Sequence, residues 1–337
     1  MTSHDKLPAS RPAHLNLIGG RDQDAAGAPI DVVSPSDGAV IGHLQRSGSE
    51  EVDAAVRAAR SAFNGAWGKL TATERGRLLT KLADAIQARV EELGVLESLD
   101  TGKPISQGRA DAVAAARYFE FYGTAADKLH GDTIPYVNGV MVAVTREPLG
   151  VTGHIVPWNY PLQIFGRSVG AALACGNACV AKPAEDASLT VLRVAQLARD
   201  VGFPDGALNV VTGFGHEAGA ALTAHPDVDF ISFTGSPDVG TLVQQAAAAH
   251  HAGVTLELGG KSPQIVFADA DLDAAAPVLV KAIIQNGGQT CSAGSRVLIE
   301  RSIFDRVVAM LIPKFEALRA GPHDRDLDLG PMINAKQ

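Results

Sequence analysis

Two short stretches carry the residue types from which covalent catalysis is built. The first is Leu256-Glu257-Leu258-Gly259-Gly260-Lys261; the second is Asn286-Gly287-Gly288-Gln289-Thr290-Cys291-Ser292, with its cysteine 34 positions beyond the glutamate. A thiol attacks carbon when it is accessible and can ionise, and glycine on either side supplies access. A carboxylate can take a proton from water. Cys291 and Glu257 are therefore a candidate nucleophile and a candidate base. A third candidate is Asn159 in Pro157-Trp158-Asn159-Tyr160-Pro161. Two prolines stiffen that amide, and a stiff amide is a good donor to an oxyanion. Each has a plainer reading. Glu257 fits a half-buried strand residue, and Asn159 an Asx turn that caps the next helix. Cys175 and Cys179 lie in an alanine-rich apolar run and read as small core residues. None of the ten histidines has an evident partner; His154 and His216 fall nearest the strand ends that carry these motifs.

Three further motifs suit an anionic ligand. Phe233-Thr234-Gly235-Ser236-Pro237-Asp238-Val239-Gly240 spans the end of a strand and the start of a helix, where glycine lets backbone N–H groups approach a pyrophosphate. Gly213-Phe214-Gly215-His216-Glu217-Ala218-Gly219 is a second turn of this kind. Neither has the G-x-G-x-x-G spacing, and a lone glycine turn is usually only a turn. Lys182-Pro183-Ala184-Glu185 ends another strand with a cation and a carboxylate, suited to ribose hydroxyls or simply to a helix start.

These motifs need elements to hold them. From residue 150 the chain alternates short apolar strands with helical stretches: strands at 151–156, 178–182, 207–211, 229–233 and 254–258, and helices at 162–175, 187–202, 216–224 and 236–249. Unalternated strands joined by helical crossovers predict a doubly wound, Rossmann-like parallel sheet in the α/β class, buried on both faces, with ligands beyond the strands' carboxyl ends. A second α/β unit follows, with strands at 264–267 and 295–300 and helices at 271–286 and 302–319. Upstream, residues 1–25 read as a surface arm and residues 31–41 as a hairpin. Helical patterns start at Ser49, at the Thr71/Glu74 capping box (with the stripe Leu79, Leu82, Ile86, Val90, Leu93), and after Thr101-Gly102-Lys103-Pro104. Residues 132–146 read as an apolar hairpin around Asn138-Gly139, suited equally to a subunit contact or an internal edge.

Composition narrows the partners. With 337 residues the chain fits about two domains. A net charge of −8 with scattered basic residues argues against nucleic acid or an anionic membrane surface. Three cysteines without metal-ligand spacing predict neither a disulfide framework nor a structural metal, and fit a cytoplasmic setting. No apolar run is long enough to span a bilayer, and the first 18 residues lack a secretory pattern.

Taken jointly and in order, Pro157-Trp158-Asn159, Lys182-Pro183-Ala184-Glu185, Phe233-Thr234-Gly235-Ser236, Leu256 to Lys261 and Gly288-Gln289-Thr290-Cys291 resemble the NAD(P)-dependent aldehyde dehydrogenase superfamily. The resemblance runs from about residue 30 to the end. It implies that Cys291 adds to an aldehyde carbonyl and that Asn159, with the Cys291 N–H, holds the oxyanion. Glu257 then activates water to hydrolyse a thioester. It implies NAD as cofactor, NADP less so, because Glu185 would repel a 2′-phosphate. Lys182 and Glu185 would hold the adenosine ribose. Gly235, Ser236 and Gly240 would shape the pyrophosphate turn, with Val239 also in the cofactor site. Val156, Pro157, Trp158, Gly215, Phe233 and Leu258 would complete the cofactor site. The partition implied is an N-terminal arm with the helical part of the NAD-binding domain (1–131), an oligomerisation hairpin (132–149), the NAD-binding sheet (150–258) and the first part of a catalytic domain (259–337). The hairpin implies a homo-oligomer, dimer or tetramer. The family pattern continues beyond Leu329-Gly330-Pro331 to a further nicotinamide-ribose contact, so the expectation is a C-terminally incomplete catalytic domain. A catalytically impaired NAD-binding or assembly module is the alternative, and a Cys291/Glu257 esterase a weaker one.

Overall fold

The computed structural model describes residues 13–337. The chain opens with β1 (Ala13–His14), β2 (Asn16–Ile18), β3 (Arg21–Gln23), β4 (Ile30–Val33) and β5 (Val40–Leu44). The helices α1 (Ser49–Asn64), α2 (Ala72–Gln87), α3 (Val90–Thr101) and α4 (Ile105–Ala125) follow. Next come the hairpin strands β6 (Asp132–Pro135) and β7 (Met141–Val144). The alternating region is β8 (Val151–Val156), α5 (Pro161–Ala174), β9 (Ala178–Pro183), α6 (Leu189–Asp200), β10 (Leu208–Val210), α7 (Ala220–Thr223), β11 (Phe230–Gly235), α8 (Pro237–Ala248) and β12 (Gly253–Leu258). The chain ends with β13 (Pro263–Val266), α9 (Leu272–Ile284), β14 (Arg296–Ile299) and α10 (Phe304–Glu316).

Among the described residues the central sheet has seven strands in the order β12-β11-β8-β9-β10-β2-β3. The first five are parallel, and β2 and β3 continue the sheet antiparallel. The parallel part starts at β8, winds outward through β9 and β10 to meet β2, then returns to the other side of β8 as β11 and β12. The order therefore reverses between β8 and β11. Loops diverge from that junction at the carboxyl ends, which opens a crevice for a ligand. Helices α5 and α6 pack together on one side, backed by α2 and α4, while α7 bridges α1 and α8. One continuous apolar core unites these layers, and Leu79, Leu82, Ile86, Phe119, Phe165 and Leu173 are fully buried in it. Each such side chain stabilises the fold by about 1.5–3 kcal/mol through burial.

Local sequence explains the boundaries. The Thr71 hydroxyl accepts from the Glu74 N–H, and the Glu74 carboxylate accepts from the Thr71 N–H, so the capping box forms at the head of α2. Glycines let α2 and α4 cross closely: a Cβ on Gly76 would stand 2.4 Å from the Gly123 carbonyl oxygen. The hairpin pairs Thr133 with Ala143 and turns at Gly139, whose φ of +83° suits glycine. Both its strands are exposed.

Several sequence expectations need correction. Residues 1–12 lie outside the described residues, but the rest of the supposed arm is structural. Leu17 pairs antiparallel with Val210, and Asn16, Leu17 and Ile18 are buried. The Asn16 amide donates to Ser47 and accepts from the Thr212 N–H, which draws this strand into the sheet. The stripe from Leu79 to Leu93 is two helices, broken between Gln87 and Val90 where Arg89 adopts φ −123°, ψ 24°. Its apolar positions stay in phase across the break, so periodicity cannot register it. Burial on both faces holds for β8, β9 and β10 but fails for β12, whose residues alternate between half-buried and exposed. The turn at residues 215–219 is a wide π-type turn that leads into only one short turn of α7. The helix expected over 271–286 ends at Ile284.

Candidate active site

Strand β8 is buried and ends where Pro157 removes an N–H from the ladder, and Pro161 then starts α5. The four residues between β8 and α5, Pro157 to Tyr160, form a stiff bend at the carboxyl edge beside the reversal of strand order. Asn159 is half-buried there and is held from three sides. Its amide Nδ2 donates to the Gln289 carbonyl at 2.9 Å. Its backbone carbonyl accepts from Lys103 Nζ at 2.9 Å and from Asn286 Nδ2 at 3.0 Å. The neighbouring Tyr160 hydroxyl lies 2.9 Å from Thr290 Oγ1. Two segments 130 residues apart are thereby stitched together at the two residues preceding Cys291. A primary amide has two N–H donors, so Asn159 keeps one after bonding Gln289.

The cysteine loop owes its shape to three successive left-handed residues, Asn286 (φ 49°), Gly287 (φ 64°) and Gly288 (φ 82°). Asparagine is among the side chains that tolerate this region, and buried Asn286 has its amide bonded to the Asn159 carbonyl. Gln289, also buried, donates to the Asn286 carbonyl and accepts from the Ile333 N–H. The chain then turns through an Ala293 N–H to Thr290 carbonyl bond and leaves Cys291 exposed. Glu257 is exposed near the end of β12, in register with Thr234 of β11. Just beyond it, a Cβ on Gly260 would stand 3.2 Å from the Cys291 carbonyl oxygen, so the glutamate strand and the cysteine loop run close.

The other motifs gather along the same carboxyl edge. Lys182 at the end of β9 is buried and donates to Glu185 at 3.0 Å. Burial lowers its pKa, and the Glu185 carboxylate works against that shift. Burial would raise the Glu185 pKa in turn, but Lys182 and the backbone N–H groups of Glu185 and Gly215 outweigh it, holding the carboxyl below its ordinary value. Gly215 faces open space. Ser236 caps α8, its hydroxyl accepting from the Val239 N–H, and Pro237 opens the helix. Gly240 permits close helix–strand packing, since a Cβ there would meet Leu258 Cδ2 at 2.7 Å. The Phe233 ring is buried beneath Gly235, where a Cβ would stand 2.5 Å from the ring. Val156 is buried, Pro157 and Trp158 half-buried, and Val239 and Leu258 exposed.

Cys175, Cys179, His154 and His216 have other surroundings. Cys179 is fully buried, and burial pushes its pKa up to about 12; burial also raises that of Cys175. His154 is buried, its Nε2 2.8 Å from the Thr152 hydroxyl and its Nδ1 without a hydrogen-bond partner. Burial takes its pKa down to about 3. His216 is exposed and stacks on Phe214. Among the described residues no group of three or more His, Cys, Asp or Glu could hold a metal ion.

Sequence reasoning missed the support behind Asn159. Thr101-Gly102-Lys103-Pro104 looked like a simple break between helices, yet Lys103 is buried and bonds Glu97, Asp111 and the Asn159 carbonyl. A lysine flanked by glycine and proline, with Glu97 and Asp111 within eight positions, was the available signal.

Both the sequence and the fold have known relatives. The sequence profile of the aldehyde dehydrogenase family matches residues 22–337. A Burkholderia cenocepacia crystal structure assigned to the aldehyde dehydrogenases is 63% identical with a TM-score of 0.95, over 96% of this chain and 68% of that one. The NAD+ complex of an aldehyde dehydrogenase from Bacillus cereus is 40% identical with a TM-score of 0.94, over 96% and 67%. Aldehyde dehydrogenase family 2 member C4 of Arabidopsis thaliana is 43% identical over 98% of this chain and 67% of its own length. The chain thus spans about two thirds of the length of these relatives.

Proposed function

The chain belongs to the aldehyde dehydrogenase family, and from that premise we propose that it takes part in NAD-dependent oxidation of an aldehyde to a carboxylic acid. The observation that carries this reading is the clamp between Asn159 and the cysteine loop, which puts an amide donor beside the backbone leading to an exposed thiol. In this reading the Cys291 thiolate adds to the aldehyde carbonyl, and the second Asn159 N–H with the Cys291 backbone N–H stabilises the oxyanion. Loss of hydride from that adduct leaves an acyl thioester on Cys291. Glu257 takes a proton from water, which attacks the thioester, expels the thiolate and releases the acid.

The residues at the carboxyl edge fit NAD. The N-terminal N–H groups of α8 stand at the reversal of strand order and suit a pyrophosphate. Lys182 and Glu185 present a buried cation and an ionised carboxyl for ribose hydroxyls, beside an open Gly215. When bound, NAD supplies the hydride acceptor. Glu185 favours NAD over NADP through repulsion of a 2′-phosphate. The bare carbonyls and N–H groups of the exposed hairpin, with Ile134, Tyr136 and Met141 at the surface, suit pairing with a second copy in a homo-oligomer. No described helix is long and apolar enough to cross a membrane, and three free cysteines suit a reducing cytoplasm.

A second reading, an NAD-binding or assembly module without turnover, draws on a different observation. Ile265, Phe267, Leu298, Phe304, Ile312 and Phe315 are all exposed on the unit beyond β12. One experiment separates the two. NAD is titrated by calorimetry, and NADH absorbance is then followed with a panel of aldehydes. Binding followed by aldehyde-dependent NADH formation supports the enzyme reading. Binding without turnover supports the module, and no binding overturns both.

A further inference from the structure

We propose that Lys103 is a positioning residue for the reaction: its buried ammonium fixes the Asn159 peptide, and through it the cysteine loop, in the orientation that oxyanion stabilisation needs. This assignment rests on the role given to Asn159 above. Lys103 lies in the turn between α3 and α4 with its side chain fully buried. An ammonium has three N–H donors, and all three are used: Glu97 Oε1 at 3.3 Å, Asp111 Oδ2 at 2.5 Å and the Asn159 carbonyl at 2.9 Å. Each carboxylate is tied elsewhere, Asp111 accepting from Gln163 Nε2 at 2.6 Å and Glu97 from the Thr190 hydroxyl at 2.6 Å. The Tyr160 ring closes the site, its centroid 4.5 Å from Nζ.

A structural ion pair between α3 and α4 needs only the two carboxylates. The third bond goes instead to a backbone carbonyl whose other donor, Asn286 Nδ2, belongs to the strained base of the cysteine loop. The carbonyl and the amide side chain of one asparagine are therefore fixed from two layers of the fold. Without the ammonium, the Asn159 carbonyl keeps only the Asn286 amide, so its peptide is held from one side and the donor aimed at the developing oxyanion is less firmly placed.

The test compares Lys103→Met/Glu97→Gln/Asp111→Asn, which removes the charges together, with Lys103→Met alone, so that one folded variant remains if the other fails to melt cooperatively. Hydrogen exchange of segments 157–164 and 285–294 is measured by mass spectrometry, expected to be roughly tenfold faster with other segments unchanged. Two reactions of the Cys291 thiol are measured alongside. Hydrolysis of an activated acetate ester builds an oxyanion and is expected to slow roughly 10–100-fold in kcat with little change in KM. Alkylation by iodoacetamide builds none and should hold within about twofold. General loosening would move both reactions together. Unchanged exchange in the two segments, or equal loss in both reactions, would overturn the proposal. If the unsubstituted chain hydrolyses no ester, the reading of Asn159 fails, while the exchange experiment still decides whether Lys103 holds the loop.

Discussion

The centre of the sheet and its outer edge are made of the same kind of segment but face different surroundings. Strands β8 and β9 are covered on both sides, and the groups that anchor the site, such as Lys182 and the carbonyl of Asn159, have defined partners there. Strand β12 and the loop after α9 are open on one side, and they carry Glu257 and Cys291, both exposed. Anchoring groups need low dielectric and fixed geometry, whereas reacting groups must be reached by water and substrate. In the proposed reading the two tasks fall at different depths, so a substitution should injure stability at the centre and chemistry at the edge.

That contrast breaks if stability losses do not follow depth. The largest expected loss is at the centre: Phe165→Ala, at a fully buried side chain, should cost about 3–5 kcal/mol in urea unfolding. Next, Asn159→Ala should lower kcat for aldehyde oxidation roughly 100–1000-fold, about 3–4 kcal/mol of transition-state stabilisation, with NAD affinity by calorimetry nearly unchanged. His154 gives a pH test of the centre. Its folded pKa is depressed to about 3 from 6.5, so its contribution is intact above about pH 6.5 and is lost as pH falls toward 3. By about pH 5 the unfolded chain has gained ~2 kcal/mol from protonating this residue. The fall in stability between about pH 7 and about pH 5 should therefore shrink by that amount in His154→Gln. The smallest effect belongs to the edge, where Leu258→Ala should cost less than about 1 kcal/mol, since that side chain is 36% exposed.

What was legible in the sequence follows the same division. Cys291, Glu257, Asn159 and Lys182 stand in motifs whose chemistry demands particular residue types; Asn159, Lys182 and Glu257 lie near the carboxyl ends of β8, β9 and β12, and the Cys291 loop is bonded to Asn159. The parallel strands from β8 to β12 were legible because each is bounded by turn residues and a helical crossover. The support was not. Lys103 meets Glu97 and Asp111 only because the α3–α4 turn folds back on itself, and no helical or strand period joins those positions. Strand β2 enters the sheet through partners about 190 positions away, such as the Gly19 N–H to Asn209 bond, which no local pattern encodes. The bend at Arg89 hid behind apolar residues that stay in phase on both sides.

The central claim is that Cys291 is the residue acylated and Glu257 the group that clears it. Its most direct test is to incubate the Glu257→Gln chain with NAD and a short aliphatic aldehyde, digest it, and locate the acyl group by mass spectrometry. The account predicts an acyl adduct on the Cys291 peptide that accumulates only with NAD present and disappears when Cys291→Ala is added. An acyl group on Cys175 or Cys179, or none at Cys291 although NAD is bound and consumed, would contradict it.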